Sequence, residues 1–149
     1  MMNATGSRTE EAVSLFKGGM NCSQAVLCGF CGPLGLDPSV AAKLATGLGG
    51  GMGRMGQTCG AVSGACLVLG LKHGASTAQD REAKEKTYQL VREFAERFKT
   101  RNASVVCRDL LGCDISTPEG FEEVKRKGRH TTVCAKMVRD AGDILEGLL

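Results

Sequence analysis

Residues 47–72 read GLGGGMGRMGQTCGAVSGACLVLGLK and join a glycine-rich segment directly to an apolar one. Seven of the first fourteen residues are glycine. Glycine loses more conformational entropy on folding than any other residue and disfavours helices and strands, so this segment predicts a loop. Residues 61–72 are apolar on nearly every side and predict a buried central helix that ends at His73 and Gly74. We therefore expect a helical fold with a glycine-rich loop leading into its central helix.

The chain on either side of this stretch also carries helical patterns. Asn21, Asp37 and Thr117 are typical N-caps, and proline follows the second and third of them. With caps included, helices are predicted over residues 9–17, 21–31, 37–45, 61–72, 77–102, 104–111, from 117 onward, and over 131–148. No alternating strand pattern, linker or internal repeat is found. The sequence predicts an all-α fold, a compact single-domain helical bundle with a glycine-rich loop over residues 1–149.

Length and composition argue against several classes of protein. The chain has 149 residues, a net charge of +3, 4% aromatic residues and no tryptophan, which does not favour nucleic-acid binding. The longest apolar stretch, residues 65–71, is too short to cross a membrane, and residues 1–8 do not resemble a signal peptide. We therefore expect a cytoplasmic protein without a nucleic-acid or membrane partner. There, cysteines are more often metal ligands or redox groups than disulfides.

Eight cysteines are many for such a chain. Cys22 follows the predicted cap Asn21, and Cys59 follows the glycine-rich segment, so both are expected in the first turn of a helix. Free N–H groups and the helix dipole favour a thiolate there and lower the pKa of the thiol. These two residues are candidates to bind a metal or attack a disulfide; alternatively, each is a small buried apolar residue.

The glycines are expected to approach a cofactor closely. Consecutive N–H groups can surround an anion, such as an iron–sulfur cluster held by four thiolates; the alternative is a tight turn between helices. Residues 51–56 also match a dinucleotide-binding fingerprint, but a helix is predicted where that motif needs a preceding strand. Gly60 and Gly64 lie one helical turn apart and predict close approach of a helix or a cofactor. The candidate cofactor contacts are Gly49, Gly50, Gly51, Gly53, Gly60 and Gly64.

Residues 59–64, CGAVSG, form a C-G-A-x-x-G motif, with a cysteine upstream in residues 21–26, NCSQAV, and single cysteines downstream. This order, together with the glycine-rich segment, resembles the C-GCAxxG-C-C family of redox-active proteins over nearly the whole chain. The sequence is also similar to the iron–sulfur part of split-Soret cytochromes, but it lacks their haem-attachment motif, so no haem is expected. The resemblance implies four family cysteines at Cys22, Cys59, Cys107 and Cys134, with Cys113 as a rival for the third. The extra cysteines, expected mainly in the core, are Cys28, Cys31, Cys66 and Cys113.

Three functions are compatible with these observations. The first is a small redox protein that holds an iron–sulfur cluster through the four family cysteines, for electron transfer or redox sensing with an unknown partner protein. The second is a thiol–disulfide oxidoreductase in which Cys59 attacks and Cys22 resolves the mixed disulfide. The third is a structural zinc site in an interaction module. The remaining features have simpler interpretations: His73 interacts with a helix dipole, residues 125–130 form a solvated basic loop, and the helix over 77–102 is a possible homodimer seam.

Overall fold

Helices make up the long elements of the computed structural model, which describes residues 7–149 and confirms the all-α prediction. Within this range no β-strand forms, although an isolated antiparallel bridge pairs Thr58 with Val106. None of the described helices is both long and apolar enough to span a bilayer. The prediction about a signal peptide rests on residues 1–8, and residues 1–6 lie outside the described residues. The helices are α1 (Arg8–Lys17), α2 (Cys22–Cys31), α3 (Pro38–Ala45), α4 (Gly49–Met52), α5 (Gly60–His73), α6 (Arg81–Asn102), α7 (Cys107–Leu111), α8 (Pro118–Arg126) and α9 (Ala135–Leu148).

The most deeply buried helix is α2, which packs against α1, α3 and α5. Its sequence, CSQAVLCGFC, carries no charge, and its start is fixed by a capping box in which Asn21 and Gln24 bond each other's backbone N–H groups. The prediction that the helix after the glycine-rich segment is buried all round is wrong, because Leu67 and Leu71 of α5 are each 37% exposed. Apolar residues of α5 therefore lie on its exposed face as well as on its buried face.

Two packed regions hold the helices together. The main core contains the inner faces of α1, α2, α5, α6 and α9, and a smaller cluster lies around α7 and α8. The smaller cluster consists of Cys107, Leu111, Ile115 and Val124. Because the two clusters are packed separately, a cavity can form where they meet.

The long charged helix α6 begins later than the apolar pattern suggests. Its N-cap is Asp80, whose carboxylate accepts from the Ala83 N–H, so the helix starts at Arg81 and not at 77. Phe94 and Phe98 are buried, but Tyr88 is 49% exposed. The apolar residues of α6 therefore enter the core in its later turns, whereas Tyr88, nearer its start, lies at the surface.

The last helical segment departs from regular α geometry at its start. Residues His130–Cys134 form a π-helical turn that leads into α9, where an uninterrupted helix from 131 was predicted. Such turns insert one residue into the helical repeat and are frequent at functional sites. This turn changes the direction in which its side chains point relative to α9.

Close contact between α2 and α5 depends on glycine. A Cβ added at Gly64 would lie 2.8 Å from the Ser23 carbonyl oxygen and 3.2 Å from the Val26 Cβ. By contrast, a Cβ at Gly70, on the same helix, would meet no atom within 4 Å. Helix packing therefore accounts for Gly64.

We expect Gly64→Ala to lower the free energy of unfolding by about 1–3 kcal/mol, because the added methyl group forces α2 and α5 apart. Gly70→Ala is the matched control and should raise it by roughly 0.5–1 kcal/mol, since alanine favours the same helix without a clash. Urea titrations followed by circular dichroism measure both changes. Equal effects of the two substitutions would contradict the packing role of Gly64.

Candidate functional site

A cavity of about 590 Å³ is lined by residues of both hydrophobic clusters. Four thiols reach it, and they belong to the four cysteines that the family resemblance implied. None of the four extra cysteines lines the cavity, so Cys107 and not Cys113 occupies the third position. The cavity cysteines are Cys22, Cys59, Cys107 and Cys134.

Cys22 and Cys59 lie next to each other at the starts of two packed helices. Cys22 is the first residue of α2, and Cys59 is the N-cap of α5 and not a first-turn residue as predicted. Gly60 lies between them, and a Cβ there would come within 3.1 Å of the Cys22 Cβ. The α2–α5 contact therefore also sets the separation of these two thiols.

Backbone pairing brings Cys107 beside Cys59. The Cys59 N–H donates to the Val105 carbonyl at 2.8 Å, and the Cys107 N–H donates to the Gln57 carbonyl at 2.6 Å. These bonds flank the Thr58–Val106 bridge. A segment before α5 and a segment before α7 are thus joined like two short strands, although neither sequence alternates in the manner of a strand.

Cys134 reaches the cavity from the π-helical turn. His130, at the start of the same turn, packs against Phe16 with ring centroids 5.2 Å apart and the ring planes tilted by 45°. His130 lies four residues before Cys134, a spacing that places both side chains on one helix face. That spacing was a usable signal for His130, which was assigned to a solvated loop.

The basic run over 125–130 is only partly solvated. Lys125 and His130 line the cavity, and Arg129 donates to the Leu111 carbonyl at 2.6 Å and to the Cys113 sulfur at 3.5 Å. The prediction of a solvated loop is therefore wrong for Lys125 and Arg126, which belong to α8, and for Arg129, whose guanidinium is bound by the chain.

The glycine-rich segment forms a left-handed turn against the cavity. Residues 50–54 all have positive φ, between 60° and 69°. At Gly51 no other residue fits, since a Cβ would lie 2.7 Å from the Cys107 Cβ and 2.6 Å from the Gln57 nitrogen. Five of the six glycines predicted to contact a cofactor line the cavity; Gly64 does not. Those five are Gly49, Gly50, Gly51, Gly53 and Gly60.

The cavity carries basic and no acidic side chains among the described residues. Arg54, Lys125 and His130 line it together with the four thiols, and no Asp or Glu does. The sequence analysis singled out neither Arg54 nor Phe121, whose ring lies 4.9 Å from the Arg54 guanidinium carbon. The electrostatic environment therefore favours a negatively charged occupant.

Burial dominates the thiol pKa values at the two predicted helix starts. It raises the pKa of Cys59 to about 11, although N–H groups of α5 act in the opposite direction. A hydrogen bond to Cys134, together with burial, raises the pKa of Cys22. The prediction that these two thiols have lowered pKa values is therefore wrong, because the loss of solvation outweighs the helix N-terminus.

Cys134 is the cavity thiol that favours the ionised form. A hydrogen bond donated by Cys22, assisted by one from His130, holds the pKa of Cys134 well below its usual range. Burial raises the pKa of Cys107 to about 12. Among the cavity thiols, the nucleophilic thiolate is therefore at Cys134.

The donor set fits a cluster in kind and number. Within residues 7–149, no group of three or more His, Cys, Asp or Glu side chains is arranged to hold a metal ion. A four-thiolate iron–sulfur cluster makes a different demand, because each ligand binds its own corner of an extended group. Four cysteines line one cavity that has glycine backbone at its wall, which agrees with such a cluster in the kind and number of donors.

In the reduced, metal-free protein at pH 7, iodoacetamide should label Cys134 faster than the other three cavity thiols, because the thiolate is the reacting form. Cys22→Ala removes the hydrogen-bond donor and should move the labelling profile of Cys134 upward by about one pH unit. Cys31→Ala, on the same helix but outside the cavity, is the control. Peptide mass spectrometry measures the rates, and faster labelling of Cys59 would contradict the assignment.

Comparison with known proteins agrees with this geometry. A family model described as "Putative redox-active protein (C_GCAxxG_C_C)" matches residues 20–148, which include all four cavity cysteines. No curated protein and no solved structure matches the chain. Since the family model spans most of the sequence, the chain belongs to the C_GCAxxG_C_C family of redox-active proteins.

Proposed function

We propose that the protein is a small cytoplasmic electron-transfer or redox-sensing protein that binds an iron–sulfur cluster through Cys22, Cys59, Cys107 and Cys134. The observation that carries this proposal is that four thiols from four separate segments line one cavity. When bound, the cluster supplies a one-electron carrier to a redox partner.

The lining residues are suited to an anionic group. Arg54, Lys125 and His130 place positive charge around the thiols, and this offsets part of the negative charge that four thiolates would bring. His130 helps to lower the pKa of Cys134, which favours the thiolate that a cluster requires. The glycine turn lets backbone reach the cavity wall without side chains in between.

Three of the proposed ligands, Cys22, Cys59 and Cys107, have raised pKa values and must lose protons on binding. The pKa of Cys59 is raised to about 11 and that of Cys107 to about 12, so both thiols are protonated in the metal-free protein at neutral pH. Binding therefore releases protons, and iron incorporation should become more favourable as the pH rises from 7 toward 9.

The ligands also tie the fold together. Cys22 and Cys59 begin α2 and α5, Cys107 begins α7, and Cys134 ends the π-helical turn. A group bound to all four links the main core to the smaller cluster. Since such a group binds the folded chain and not the unfolded one, it should raise the melting temperature.

Anaerobic reconstitution with iron and sulfide should give a brown protein with broad visible absorption and a melting temperature above that of the metal-free form. Serine at any one of the four cavity cysteines should remove most of the iron and the absorption. Cys66→Ser is the matched control. Cys66 lies on α5, the helix that Cys59 caps, but does not line the cavity. Iron and sulfide analysis measures the outcome.

Two results would overturn the cluster proposal. One is a wild-type protein that takes up no iron and sulfide under reducing conditions while remaining folded. The other is loss of iron in Cys66→Ser equal to that in Cys59→Ser. Stoichiometric zinc in a colourless protein would point to a structural metal site instead.

The opposite pKa shifts of Cys22, which is raised, and Cys134, which is lowered, favour a second function, that of a thiol–disulfide oxidoreductase. Here the Cys134 thiolate attacks a sulfur of a substrate disulfide, forms a mixed disulfide and releases the other substrate sulfur as a thiolate. Cys22, after losing its proton, attacks the Cys134 sulfur and releases the second substrate thiolate. The substrate gains two electrons, and the protein is left with a Cys22–Cys134 disulfide. In this second function we assign the attacking role to Cys134 and not to Cys59, because the pKa of Cys134 is lowered while that of Cys59 is raised.

The two functions differ in their dependence on Cys59. If the protein acts by thiol exchange, Cys59→Ser should keep disulfide reductase activity while Cys134→Ser loses it. If it acts through a cluster, both variants should lose the iron signal alike. Reduction of a model disulfide followed by mass spectrometry identifies the cysteines that become linked.

A further inference from the structure

Much of the cavity wall is apolar. It is formed by side chains of α7, α8 and the loop between them, most of them in or against the smaller hydrophobic cluster. The cavity volume of about 590 Å³ falls among pockets that hold small organic ligands, roughly 300–1,000 Å³. These side chains are Leu110, Leu111, Ile115, Phe121 and Val124.

Two cations lie over one aromatic ring at this wall. The Arg54 guanidinium carbon is 4.9 Å from the centroid of the Phe121 ring, and the Lys125 Nζ is 5.3 Å from the same centroid. Each contact is favourable by itself, but two like charges held against one ring repel each other. An anion bound to both would remove that repulsion.

Neither cation is fully neutralised by the protein. Arg54 forms no ion pair with any of residues 7–149, and Lys125 pairs only with the exposed Glu122, at 3.7 Å. Exposed pairs of this kind contribute about 0–1 kcal/mol, so Lys125 stays free to bind another anion. No carboxylate lines the cavity in the described chain, so among the lining residues only the Cys134 thiolate competes with a bound anion for these cations.

The backbone at Arg54 is held in an unfavourable conformation. Its φ is +64°, and only Met52 and Ala103 share positive φ among the non-glycine residues described. A left-handed conformation costs an L-residue about 1–2 kcal/mol, and such strain concentrates at functional sites. Gly50 makes room for the resulting side-chain path, because a Cβ there would lie 2.8 Å from the Arg54 Cγ. The turn is thus shaped to direct Arg54 over Phe121.

We propose that this cavity binds a small organic carboxylate, with its carboxylate between Arg54 and Lys125 and its apolar body against Phe121 and the side chains of α7 and α8. Arginine offers a planar pair of donors that matches a carboxylate, and lysine adds a second charge. The apolar wall favours an organic anion over inorganic phosphate, since phosphate has no surface to bury there. The site requires no metal and therefore stands or falls separately from the cluster.

Calorimetric titration of the full-length, reduced protein at low ionic strength tests the proposal, with benzoate as the probe. Benzamide has the same shape without the charge, and it should bind about tenfold or more weakly, since a hydrogen bond between charged groups contributes about 1.5–3 kcal/mol. Benzoate should also shift the amide resonances of Gly50, Gly51 and Gly53, which line the cavity. Inorganic phosphate should bind more weakly than benzoate.

The variants separate this pocket from general charge effects. Arg54→Gln and Lys125→Gln should each weaken benzoate binding about tenfold. Arg126→Gln is the matched control, because Arg126 follows Lys125 on α8, pairs with Glu123 and does not line the cavity. Equal binding of benzoate and benzamide, equal loss in Arg126→Gln, or tighter binding of phosphate would each overturn the proposal. A wild-type protein that binds benzoate but takes up no iron would overturn the cluster proposal and support this one.

Discussion

The contact between α2 and α5 is the constraint on which the rest of the structure depends. Two glycines of α5, Gly60 and Gly64, face Cys22 and Ser23 of α2 with no room for a methyl group. The short distance between α2 and α5 positions the main core and also places Cys22 beside Cys59. Core packing and site geometry are therefore one property, and the motif glycines serve both the fold and the cavity wall.

The left-handed turn depends on that contact in turn. Gly49 packs on Asn21, the cap of α2, and the Gly51 Cα approaches Cys107 so closely that a side chain is excluded. The turn is closed by N–H groups of Gly56 and Gln57, which donate to the carbonyls of Gly50 and Gly51 at 3.2 and 2.9 Å. These bonds help to offset the strain at non-glycine positions, since each contributes about 1 kcal/mol.

Local signals in the sequence predicted what is locally determined. The caps Asn21, Asp37 and Thr117 mark the starts of α2, α3 and α8, because a side chain can satisfy the first N–H groups without help from distant residues. The family motif similarly indicated the cavity cysteines. The Cys59–Cys107 pairing and the π-helical turn were not predicted, since both depend on residues far apart in the chain. Tyr88, which is 49% exposed, illustrates the same limit, because periodicity shows an apolar face but not whether a neighbour covers it.

The thiol pKa values show why helix position alone is a poor guide to reactivity. Cys59 does receive hydrogen bonds from N–H groups of α5, as the helix-start argument requires, yet burial raises its pKa to about 11. Cys134 joins the π-helical turn to α9, and its pKa is lowered because the interactions with Cys22 and His130 outweigh burial. In a buried cavity the donors that face a sulfur decide its ionisation. The cavity therefore holds its negative charge at Cys134, whereas burial helps the other three cavity thiols to keep their protons at neutral pH.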